Sequence, residues 1–288
     1  MPRSSPVDSF SLAYDRTGGG PPVVLLHGWP GGRSDYRLVV PLLSDAADVL
    51  VPDLRGFGES DKHPVSPDEA YTADAQARSV TGLLDELGLG PVVVAGYDIG
   101  SRIAQTIAAR SPDRVRSLVV APPLPGAGQR LLGPDVHREF WYQHFHRLDL
   151  AQRLLDGERD AVRAHLGHFW NHWSGPSYTP AEADLDRLAD SYGQPGAFTA
   201  SIGWYRQGPG ILARGLAEQA PPPEGRLAVR TQVLWPAHDP LFPAAWSDRL
   251  DDFFADVTMT PVPDSGHFVP LEAPEAFATA VRAALSRS

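Results

Sequence analysis

At 288 residues the chain has room for one large α/β domain with an insertion, or for two small domains. Its 42% hydrophobic and 9% aromatic content supports a sizeable core and excludes global disorder, while a formal net charge of −10 argues against nucleic acid or an anionic membrane as a partner. No cysteine is present, so disulfides, thiolate catalysis and cysteine-ligated zinc are excluded. Residues 1–10 lack the apolar stretch of a signal peptide and no run approaches membrane-spanning length, so a soluble, cytoplasmic protein is expected.

In chain order, the first candidate strand is a short one at 10–14, followed by a glycine turn at 18–20. Pro22-Val23-Val24-Leu25-Leu26 reads as a buried strand that runs directly into His27-Gly28-Trp29-Pro30-Gly31-Gly32. A further strand at 49–51 ends at Pro52-Asp53-Leu54-Arg55-Gly56-Phe57-Gly58-Glu59-Ser60, in which Asp53 and Arg55 are read as ordering the loop. Apolar spacing at Ala77, Val80, Leu83, Leu84 and Leu87 predicts a helix over 73–87, with Gly88 as its stop. Strands follow at 92–95 and 118–120. Strands alternating with helical stretches imply a mainly parallel sheet covered on both faces.

Beyond residue 122 the pattern changes. Two proline-rich hinges, Pro122-Pro123-Leu124-Pro125-Gly126 and Pro221-Pro222-Pro223-Glu224-Gly225, bracket a stretch of helical character rich in His and Trp. This predicts an all-helical cap over 123–225, inserted between core segments 1–122 and 226–288. The α/β pattern then resumes with strands at 231–235 and 257–259 and closes on an amphipathic helix over 274–285.

The stretch carrying the chemistry is Val92-Val93-Val94-Ala95-Gly96-Tyr97-Asp98-Ile99-Gly100, a strand feeding a Gly-x-Asp-x-Gly turn and then a helix. That is the layout of a nucleophile elbow with Asp98 at the nucleophile position. The flanking glycines answer to crowding between strand and helix, and the helix N-terminus favours negative charge at the turn. Asp239 follows one predicted strand and His267 another, so nucleophile, acid and histidine occur in the order Asp98, Asp239, His267. Taken singly, the residues leave other readings open: Asp98 as a helix cap, Asp239 as an Asp-Pro turn, His267 as a loop histidine.

Together with His27-Gly28-Trp29-Pro30 and Asp53-x-Arg55-Gly56-x-Gly58-x-Ser60, this set resembles the epoxide hydrolase branch of the α/β-hydrolases. The resemblance covers the chain outside the cap and patches within it. It implies an α/β-hydrolase fold and a covalent alkyl ester on Asp98, hydrolysed by water that His267 activates with Asp239 behind it. Backbone N–H groups of Trp29 and Ile99 are the expected oxyanion hole. Phe140-Trp141-Tyr142-Gln143 and Gly203-Trp204-Tyr205-Arg206 resemble lid motifs of the same branch, whose tyrosines bind and protonate the epoxide oxygen. Tyr142 and Tyr205 inherit that role, because an alkoxide leaving group needs an acid that is still protonated at neutral pH.

Substrate contacts are expected from His27, Pro30, Trp141, Gln143, Trp204 and Phe268. The implied substrate is a small apolar or aromatic epoxide, with water as co-substrate, no cofactor and no metal. His165, His168 and His172 recur at helical spacing and are read as ordinary polar-face residues. Haloalkane or haloacid dehalogenation with the same Asp is the second expectation. Arg102 matches the second arginine of the fluoroacetate dehalogenases, but Ile99 offers no side-chain hydrogen bond to a halide, and Arg102 is expected to pair with a carboxylate or lie along the surface. A non-catalytic ligand receptor on this fold is the third. Oligomeric state is not legible, a homodimer being allowed.

Overall fold

The computed structural model describes residues 1–286. Seven strands form one sheet in the order β1-β3-β2-β4-β5-β6-β7. They are β1 (Tyr14–Gly18), β2 (Pro22–Leu26), β3 (Asp48–Pro52), β4 (Val92–Gly96), β5 (Val115–Val120), β6 (Thr231–Pro236) and β7 (Val257–Val262). Only β1 runs antiparallel, against β3, and every other pairing is parallel. Strands β3 and β4 are buried along their whole length, as expected of apolar, β-branched runs covered on both faces.

The helix Ala73–Glu86 opens where the Thr72 side chain accepts the Ala75 N–H, and ends just before Gly88, whose φ of +64° suits glycine. It packs on the helix Ile99–Arg110, which lies against β2, β4 and β5, while the closing helix Pro274–Ser286 covers β4, β5 and β6. From the end of β5 to the start of β6 the described residues form helices and turns and no strand.

The strand expected at 10–14 is found four residues later, as β1. Its side chains beyond Tyr14 are all exposed, so it leaves no hydrophobic alternation in the sequence. It is held by backbone pairing with β3 and by the Arg16–Asp48 ion pair at 2.6 Å. Among the described residues no helix is long and apolar enough to cross a membrane.

Because β2, β4, β6 and β7 are parallel, their carboxyl ends emerge together at one edge of the sheet. His27-Gly28-Trp29 leaves β2 there, Asp98 leaves β4, Asp239 follows β6 and His267 follows β7. In open α/β sheets this edge is where ligands bind.

Candidate active site

Asp98 sits at the turn between β4 and its helix with φ +50° and ψ −126°, a conformation costly for a residue with a Cβ. Close packing around the turn enforces it. A Cβ at Gly96 would lie 2.7 Å from the Gly100 carbonyl group, and one at Gly100 would collide with the Leu26 carbonyl oxygen. At Gly28 it would come within 2.6 Å of the Asp98 Cβ. Only glycine lets the β2 loop approach the Asp98 side chain this closely.

That approach places the Trp29 N–H 2.7 Å from Asp98 Oδ1, to which it donates. His267 Nε2 lies 3.4 Å from Asp98 Oδ2 and has no hydrogen-bond partner of its own. On the other side of the ring, His267 Nδ1 meets Asp239 Oδ2 at 2.9 Å, while Asp239 Oδ1 accepts the Leu241 N–H at 2.8 Å. All three side chains are buried. Desolvation, the largest single effect on His267, pushes its pKa down. The carboxylates of Asp239 and Asp98 outweigh that and carry it up to about 10. His267 is therefore an imidazolium while Asp98 is ionised.

Side chains not evident from sequence hold this arrangement. The Glu272 carboxylate accepts the N–H groups of Gly266, Gly175 and Phe268 at 2.7, 2.7 and 2.9 Å, tying the His267 loop to the helical segment. Burial raises the Glu272 pKa against the pull of those donors. The Tyr97 hydroxyl donates to Asp35 Oδ2 at 2.6 Å, and the same oxygen accepts the Gly32 N–H at 3.0 Å, which joins the elbow to the β2 loop. Burial brings Asp35 up to about 7.

A cavity of about 660 Å³ opens onto Asp98 and Ile99. Tyr142 and Tyr205 line it, their rings edge to face with centroids 5.4 Å apart, and Trp29 packs against both. Burial raises both phenol pKa values and the Asp98 charge adds to the effect, so both hydroxyls stay protonated. Gln143 and Trp204 are also on the wall, together with Phe140 and Phe242, which sequence reasoning did not single out.

Four expected substrate contacts lie elsewhere, and the assignments are corrected accordingly. His27 is fully buried, with its ring nitrogens on the Gly28 carbonyl at 2.9 Å and the Leu54 N–H at 3.1 Å, so it braces two loops. Pro30 gives its carbonyl to Trp170 Nε1 at 2.8 Å. Trp141 is 44% exposed, stacks on Phe169 and does not line the cavity. Phe268 is buried among Trp170, Trp173 and Tyr97. A motif places its residues near the site without saying which of them face it, because neighbours on a helix or tight turn point in different directions.

Asp53 and Arg55 order the loop, Asp53 accepting the Arg33 and Glu59 N–H groups and the buried Arg55 bonding Ser79 at 2.7 Å. Of the histidines, His146 and His165 share a 3.0 Å Nε2 contact, and His172 pairs with Glu139 at 2.7 Å. Arg102 faces Glu218 at 3.7 Å and also lines the cavity.

The profile of the alpha/beta hydrolase fold family matches residues 21–274. The chain is 28% identical over 280 residues to a soluble epoxide hydrolase of Corynebacterium sp., spanning 93% of this chain and 91% of that one. It is 46% identical over 103 residues to a haloalkane dehalogenase of Mycolicibacterium paratuberculosis, about a third of either chain (35% and 34%). Among solved structures, one described as a novel epoxide hydrolase from metagenomes of hot environments superposes with a TM-score of 0.83 at 28% identity, over 99% of this chain and 97% of that one. With its elbow, its mostly parallel sheet and this match over most of its length, the chain belongs to the alpha/beta hydrolase fold family.

Proposed function

We propose that the protein opens epoxides to vicinal diols through an ester on Asp98, with residues 123–225 acting as a cap over the site. The observation that carries this reading is the pair of buried, protonated phenols lining the same cavity as the carboxylate. Asp98 Oδ2 attacks a ring carbon, a carbon–oxygen bond of the epoxide breaks, and its electron pair goes to the ring oxygen. That oxygen takes a proton from Tyr142 or Tyr205 while the other donates a hydrogen bond. Oδ1 stays on the Trp29 N–H as the carbonyl oxygen of the ester.

Ester formation removes the negative charge of Asp98, one of the two carboxylates that raise the His267 pKa. Its pKa falls, the imidazolium's Nε2 proton passes through solvent to the phenolate left by the first step, and the neutral ring becomes a base. Water then attacks the ester carbonyl and passes its proton to Nε2, and Asp239 steadies the charged ring. The tetrahedral oxyanion rests on the Trp29 and Ile99 N–H groups at the helix N-terminus. Collapse expels the diol oxygen, which takes the remaining proton of the tetrahedral centre, and leaves the Asp98 carboxylate and the His267 imidazolium as they began. The sum is epoxide plus water to diol.

The same nucleophile could displace halide, and a dehalogenase is among the relatives. Ile99 gives a departing halide no side-chain donor, and a halide has no need of an acid, so the phenols favour the epoxide. The test compares wild type with Tyr142→Phe/Tyr205→Phe on aryl epoxides and haloalkanes of similar size. Epoxide opening should fall about 10²- to 10³-fold in the variant, from the loss of two transition-state donors. Halide release from wild type that exceeds diol formation and survives in the variant would overturn the reading. Tight substrate binding with no turnover would favour a receptor.

A further inference from the structure

The two residues that follow the Trp29 N–H donor have little means of holding themselves in place. Pro30 has no N–H to give. Gly31 has no side chain, since a Cβ there would collide with the Asp35 carboxylate and lie 2.8 Å from the Tyr97 hydroxyl. Both residues are buried, so their peptide groups need partners from elsewhere. Those partners come from the helical segment. Trp170 Nε1 donates to the Pro30 carbonyl at 2.8 Å. The Tyr192 hydroxyl accepts the Gly31 N–H at 2.9 Å and donates to the Gly31 carbonyl at 2.7 Å.

The two side chains belong to packed elements. Trp170 lies in the last turn of the helix Arg159–Trp173, and Tyr192 ends the helix Glu182–Tyr192. These helices lie against each other and are joined by the Arg163–Asp186 ion pair at 2.8 Å. The same last turn reaches the other side of the site, where the Trp173 carbonyl accepts the His267 N–H at 2.8 Å. One pair of helices thus bonds both the loop of the Trp29 donor and the loop of the base. Trp170 and Tyr192 are buried and do not line the cavity, so any effect they have on the reaction passes through those loops.

We infer that Tyr192 and Trp170 are positioning residues, through which the cap holds the Trp29 N–H on the Asp98 oxygen and so sets the oxyanion hole; this rests on the ester reading above. The two steps of that reaction call on the N–H differently. Alkylation takes negative charge off Asp98 Oδ1, so a weaker hydrogen bond to that oxygen does not slow it. Hydrolysis builds a full negative charge on the same oxygen, and a displaced donor then gives up stabilisation in the transition state. A loosened loop therefore slows the second step selectively.

The test is Tyr192→Phe, which removes the hydroxyl and keeps the ring against Phe57. At saturating epoxide, the ratio of esterified to free Asp98 in acid-quenched samples equals the alkylation rate over the hydrolysis rate. Intact mass should show that ratio rising about tenfold in the variant as kcat falls. Trp170→Phe should act in the same direction, and serves if the first variant does not fold. Misfolded protein adds to the free form and lowers the ratio, so lost stability cannot produce the rise. An unchanged or lower ratio in variants whose circular dichroism matches wild type would overturn the positioning role, whatever the change in Tm.

A second arm is independent of turnover. The Trp29 amide proton, deshielded by its 2.7 Å hydrogen bond to Asp98, should move upfield in the NMR spectrum of either variant. An unmoved amide would also overturn the role. If the amide moves and no ester is trapped in any sample, the positioning stands and the ester reading falls. If ester is trapped and neither the ratio nor the amide changes, the positioning falls alone.

Discussion

Asp98→Asn should reduce epoxide turnover by about 10⁵-fold, because no other nucleophile is positioned to replace the carboxylate. The amide is nearly isosteric, and its oxygen can still accept the Trp29 N–H, so the elbow geometry should survive. Unchanged secondary structure with activity lost would separate chemistry from folding. The substitution has a second readout. His267 owes its charged state to two carboxylates, and removing one should let its imidazole titrate well below the wild-type value of about 10. NMR titration of the ring would show it. An unshifted His267 in Asp98→Asn would contradict the coupling by which ester formation creates its own base.

His267→Gln should slow the overall reaction about 10³- to 10⁴-fold by a different route, because alkylation of Asp98 needs no base while hydrolysis of the ester does. A single burst of epoxide consumption should be followed by a stalled alkyl-enzyme, visible as one added substrate mass on the peptide carrying Asp98. Stability should change in a pH-dependent way. In wild type the native state holds the His267 proton more tightly than the unfolded chain does. That contribution is complete below about pH 6.5 and fades as pH rises towards about 10. Wild type and variant should therefore differ most in Tm at acidic pH and converge at alkaline pH.

Much of this was legible because the fold writes its site into strand ends. Runs such as Val92-Val93-Val94-Ala95 are short, apolar and β-branched, and the residues that follow them converge for reasons of topology alone. Glycine was equally informative at positions 28, 96 and 100, where backbone crowds side chain. Strand β1 was misplaced because its exposed residues carry no pattern.

The cavity wall was harder to read. Which of Phe140, Trp141 and Tyr142 faces the site depends on how a short helix is rotated, and a motif does not encode that rotation. Trp141 turns outward while Tyr142 turns in. Glu272, Asp35 and Tyr97 left no sequence signal. Each joins partners that lie far apart in the chain: Glu272 gathers the N–H groups of Gly266 and Phe268 nearby and of Gly175 97 positions away, and Asp35 accepts both the nearby Gly32 N–H and the Tyr97 hydroxyl 62 positions on.

The account hangs on a bond between Asp98 and carbon, and oxygen tracing in a single turnover reads that bond directly. With enzyme in excess over epoxide in ¹⁸O-enriched water, the diol should form with unlabelled oxygen taken from the enzyme, and the heavy isotope should appear in the Asp98 carboxylate. A labelled diol from an unlabelled enzyme would mean that water attacks the ring directly, and would contradict the ester.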